Sequence, residues 1–118
     1  MRASWLILAL LLVSLPSLVS SDETPMSKKS THAERILRHL ALGDLATVHA
    51  EAVKLEQITI DTKFEDRGKE YAEYGKEFLK VVRALKDDAG RGNKSAAYYQ
   101  FTRMTGLCFT CHENVREK

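Results

Sequence analysis

The run Cys108-Phe109-Thr110-Cys111-His112 constrains this chain more than any other stretch. The chain holds two cysteines, and both lie in it. C-x-x-C-H is the attachment signature of a c-type haem. Residues three apart on a helix share a face, so both sulfurs can reach the two vinyl groups along one porphyrin edge and form thioethers. His112 follows directly and lies four residues from Cys108, which lets its imidazole turn under the iron as the proximal ligand. Other readings need partners that the sequence does not offer. A structural zinc site takes four ligands, usually from two such pairs. A thioredoxin-like redox pair belongs beside a βαβ unit, and no strand-like alternation is visible. A Cys108–Cys111 disulfide would leave His112 without a role.

The N-terminus points the same way. Arg2, an apolar run from Trp5 to Val13, then Ser14, Pro16 and small residues read as a signal peptide. Val19 and Ser21 fit the positions three and one before a cut, so residues 1–21 are expected to be removed and the mature chain to start at Asp22. The apolar run is short for a bilayer span, which favours a cleaved leader over an uncleaved anchor. The expected location is the periplasm, with no membrane attachment after cleavage. Export suits a c-type haem, which is attached after translocation.

Residues 22–118 are enough for one small domain. Arg2 is the only charged residue in the leader, so the formal charge falls from +2 to about +1 on its removal. Charges alternate as on solvated helix faces and form no basic block, which argues against nucleic acid. A chain this short has a thin core. A buried haem would add a large apolar surface, so the folded state is expected to depend on it.

The rest reads as helix. Residues 22–25 look like a loose arm. Met26, Ser30, Ala33, Leu37 and Leu40 form a first stripe that Ile36 widens, and Gly43 ends it. Asp44 is placed to cap a second helix carrying Leu45, Val48, Ala52, Leu55 and Ile58. Asp61 to Asp66 reads as a polar connector. Tyr71, Tyr74, Phe78, Val81, Val82 and Leu85 make a third stripe, and Asp87 to Asn93, with two glycines, the clearest break. The last helix carries Ala97, Phe101, Met104, Leu107 and the C-x-x-C-H run. Four amphipathic helices with short connections predict an all-α, up-down-up-down antiparallel bundle with the haem on its C-terminal helix.

A four-helix chain with C-x-x-C-H near its C-terminus resembles the class II cytochromes c, the cytochrome c′ family. The stretch from Ala97 to Arg116, with Phe101 and Met104 before the cysteines and Arg116 four residues after His112, is similar to that family's final helix. The resemblance covers residues 22–118 in outline, and the first two helices are abbreviated. It implies one covalent haem c with its iron, carried on Cys108, Cys111 and His112. It also implies a propionate contact at Arg116, which otherwise only complements the helix C-terminus. It leaves the choice between monomer and homodimer open.

In that family the residue facing the other side of the iron comes from the start of the first helix, and Met26 stands there. Methionine would raise the reduction potential and suit an electron carrier with redox proteins as partners. The bland alternative for Met26 is a core filler or a frayed helix end. Met104 lies two turns before His112 on the same helix and cannot reach the opposite face. His32, His39 and His49 read as surface residues, with His32 the default for bis-histidine ligation. The aromatics Tyr71, Tyr74, Phe78, Tyr98, Tyr99 and Phe101 are expected in the core or against the haem. No catalytic constellation is visible, so the chain is not expected to be an enzyme. The rival function is a five-coordinate haem protein that binds nitric oxide or another small gas.

Overall fold

The computed structural model describes residues 24–116, with the side chains of Glu65, Val115 and Arg116 outside that description. The expected signal peptide, residues 1–21, therefore lies outside the described residues. Four helices follow one another: α1 Pro25–Leu42, α2 Leu45–Asp61, α3 Lys69–Gly90 and α4 Lys94–Arg116. A 3-10 turn, Phe64–Arg67, precedes α3. Each helix packs against the next, and the connections are short, giving an antiparallel four-helix bundle.

The helix ends follow local chemistry. Thr24 is the cap of α1, its Oγ1 accepting from the Ser27 N–H at 3.1 Å, with Pro25 in the first turn. The expected loose arm is thus helix from Pro25 onward, and Asp22 and Glu23 lie outside the described residues. Gly43 ends α1 with φ of 74°, a conformation costly for any residue with a Cβ. Asp44 then caps α2 as expected, its Oδ1 accepting from the Thr47 N–H at 3.1 Å. Asn93 does the same for α4 through the Ala96 N–H at 3.0 Å.

The core is built from Ile36 and Leu40 of α1, Val48, Ala52 and Leu55 of α2, Val81, Val82, Leu85 and Ala89 of α3, and Ala97, Phe101 and Met104 of α4. Several stripe members depart from expectation. Leu37 is 53% exposed, because Ala33, Ile36 and Leu40 already fill the inward face of α1. Tyr98 and Tyr99 face solvent rather than core, since Ala97, Phe101 and Met104 occupy the buried face of α4. The break expected at Asp87 comes later: α3 runs to Gly90, and Asp88 is buried, bonded to Arg91 and to Gln100 at 3.3 Å.

The three histidines are anchored rather than free on the surface. His32 Nδ1 meets Glu51 Oε2 at 2.5 Å, His39 Nδ1 meets Asp44 Oδ2 at 3.1 Å, and His49 Nδ1 meets the Lys86 carbonyl at 2.9 Å. Among the described residues no helix is long and apolar enough to cross a membrane.

Candidate functional site

In a ring of four helices α1 and α4 are also neighbours, yet they touch far less than the sequential pairs do. The space between the start of α1 and the end of α4 is a cavity of about 350 Å³. This falls within the roughly 300–1,000 Å³ of small-molecule sites. Met26, Lys29, Ser30, Ala33 and Glu34 line it from α1, at the helical spacing that puts them on one face. Thr105, Leu107, Cys108, Cys111 and His112 line it from α4, and Phe64, Tyr74 and Phe78 close its floor.

Four residues singled out from sequence thus share one cavity: Met26, Cys108, Cys111 and His112. Cys108 is exposed as a residue while it still lines the cavity, so this wall lies at the protein surface. Met26 is 44% exposed at the first turn of α1. Met104 is fully buried in the core and His32 is tied to Glu51; neither lines the cavity. The Arg116 side chain lies outside the described residues.

Burial pushes both thiols up from their ordinary range. The Lys29 ammonium works against this at each, while Cys111 is pushed further by Glu70. Neither thiol is held as a thiolate, the opposite of an activated redox or nucleophilic cysteine. Among the described residues no three His, Cys, Asp or Glu side chains converge to hold a metal ion. Two thiols and an imidazole spread along one apolar wall suit a flat ring bound at its edge better than a bare ion.

Two cavity residues outside the expected ligand set shape its chemistry. Lys29 is 7% exposed, its Nζ 4.1 Å from the Phe64 ring centroid and 5.2 Å from that of Phe78. Burial lowers its pKa to about 8, against the opposing fields of Cys108 and Cys111. Its place one turn after Met26 puts it near the expected haem edge, and only its burial was concealed by its charge. Phe64 was hidden as a lone aromatic in a polar connector. The turn carrying it packs on α3 at Gly75, where an added Cβ would sit 2.6 Å from the Phe64 ring. Asn114 donates to the Tyr74 hydroxyl, tying the end of α4 to α3 beside the cavity.

No protein-family model matches the chain, and no curated protein or solved structure does either. The class established by the fold is the all-α four-helix bundle.

Proposed function

We propose that the chain is an exported c-type cytochrome. In this reading it carries one haem bound covalently through Cys108 and Cys111, with His112 on the iron, and passes single electrons between redox proteins of the periplasm. The observation that carries the reading is the shared cavity. It sets the C-x-x-C-H run of α4 against Met26 of α1, with apolar walls from Ala33, Phe64, Phe78 and Leu107. When bound, the haem supplies a one-electron couple. The chain's own residues do the rest. The two cysteines would tether one ring edge, and His112 would supply an imidazole nitrogen to the iron. The aromatic floor of Phe64, Tyr74 and Phe78 would shield one side of the ring from water. Met26 would offer a thioether as a second ligand to the iron, which would favour the reduced form and raise the potential. Cys108 and Phe109 are exposed, so the tethering edge is within reach of a partner's surface.

Denaturing electrophoresis with haem-peroxidase staining tests the attachment. Protein from cells with a working c-type maturation system should stain, and its haem should resist acid acetone; an unstained band ends this reading. The reduced holoprotein should be low-spin. Met26→Ala should make the reduced form high-spin and lower the midpoint potential. The half-exposure of Met26 favours one rival. A wild-type protein already high-spin when reduced, and binding nitric oxide without delay, would make gas binding the better reading.

A further inference from the structure

Among the described residues four polar or charged ones are buried: Lys29, Glu51, Thr59 and Asp88. Three have polar partners. Glu51 takes His32, Arg35 and Lys54, Asp88 takes Arg91 and Gln100, and Thr59 donates to the Leu55 carbonyl at 2.7 Å. Among the described residues Lys29 has no carboxylate and no hydrogen bond, only the faces of Phe64 and Phe78. Partial loss of water without a counter-ion disfavours the ammonium against its neutral form. The pKa of about 8 has this cause. Loss of the proton, eased by this lowering, frees the nitrogen lone pair, and the side chain lies in the cavity that His112 lines from the other side. The other titratable groups around the cavity are Glu34 on α1, Tyr74 on α3, and both thiols and His112 on α4. Glu70 of α3 acts on Cys111.

Met26 and Lys29 therefore offer two donors from one wall, one turn apart. The thioether is half-exposed and the amine is buried. Soft sulfur suits iron(II), and the harder amine nitrogen suits iron(III). We propose, resting on the haem reading above, that Lys29 is the iron ligand opposite His112 in the oxidised protein and that Met26 replaces it on reduction. Lys29 gives a proton to solvent as its nitrogen lone pair binds iron(III). One electron from a protein donor reduces the iron, Lys29 leaves and recovers a proton, and the Met26 sulfur takes the face it vacates.

The test uses the holoprotein. Oxidised wild type should be low-spin, with the electron paramagnetic resonance and near-infrared charge-transfer signature of two nitrogen ligands. Lys29→Arg keeps the charge and the stem but cannot ligate. It should lose that signature when oxidised and leave the reduced spectrum unchanged. Wild type grown on 15N-lysine supplies a second measurement that needs no variant: hyperfine coupling of the iron to a lysine nitrogen is expected. A haem-stained protein without this coupling, or with the same oxidised spectrum in Lys29→Arg, overturns the proposal and leaves the cytochrome reading standing. A protein without covalent haem removes both.

Discussion

At the end of the bundle where α1 turns into α2 through Gly43, and α3 into α4 through Gly92, Ile36, Leu40, Val48, Leu85, Ala89 and Ala97 leave almost no surface to water. At the other end, where α1 begins and α4 finishes, α1, α3, α4 and the turn carrying Phe64 enclose a cavity. Its lining includes an amine, a thioether, two thiols and an imidazole. The first end satisfies itself by close packing, as protein interiors do. The second sets a mostly buried lysine against aromatic faces and leaves apolar lining open to water, a cost that an apolar occupant would offset. Stability and site thus occupy opposite ends of one bundle, and perturbations should separate them.

The largest effect is expected from Cys108→Ala with Cys111→Ala. Covalent haem should be lost entirely, and with it the ligand stabilisation of the open end, about 3 kcal/mol or more. For a domain of this size that is roughly 12–24 °C in Tm. Hydrogen exchange gives the sharper reading. Protection should fall in residues 25–34 and 104–112 and persist around Val48, Leu85 and Ala97. Uniform loss along all four helices would show that the closed end does not stand by itself.

Leu55→Ala perturbs the buried core rather than the lining. Leu55 is fully buried and absent from the cavity wall, so truncation should cost about 2–5 kcal/mol through the void it leaves. The midpoint of chemical denaturation should fall accordingly, while the visible spectrum of the folded holoprotein stays unchanged. A shifted spectrum would mean that core and site are coupled through α2, against the division drawn here.

The closed end was the more legible in sequence, for a physical reason. Its core is apolar, so helical periodicity reveals it: Ile36 and Leu40, Val48 to Leu55, and Val81 to Leu85 were all visible as stripes. Gly43 and Asp44 marked the first turn because their backbone and capping roles are local. At the open end only residues with distinctive chemistry stood out: the C-x-x-C-H run by its spacing and Met26 through a resemblance. Lys29 stood out only as a neighbour of Met26; its burial did not, because burial of a lysine depends on what surrounds it in three dimensions. Phe64 did not, because its place comes from the packing of a short turn on Gly75 of the helix that follows, which a lone aromatic in a polar connector does not announce. The exposed Tyr98 and Tyr99 show the converse error. Aromatic character alone does not say which face of a helix turns inward.

The smallest effect concerns the join between the two ends. Glu51 of α2 is buried beside α1. It meets His32 at 2.5 Å, Lys54 at 3.3 Å and Arg35 at 3.8 Å, one residue away from the cavity wall at Ala33. Burial by itself would raise the Glu51 carboxyl, but the hydrogen bonds and charges of His32 and Lys54 outweigh it and hold the carboxyl below its ordinary value. A depressed carboxyl contributes stability that is fully present above its unfolded pKa, about 4.3. That contribution is lost as pH falls through the folded value. Acid should therefore loosen α1 from α2 in the window below about pH 4.3, with neutral pH leaving the contact intact. Glu51→Gln should flatten this part of the stability–pH profile while lowering stability at pH 7, since the amide cannot replace the carboxylate toward Arg35 and Lys54. Urea midpoints measured from pH 3 to 7 for both proteins would decide it. Parallel acid limbs would show that α1 is held to α2 by the apolar contacts of Ile36 and Leu40 alone.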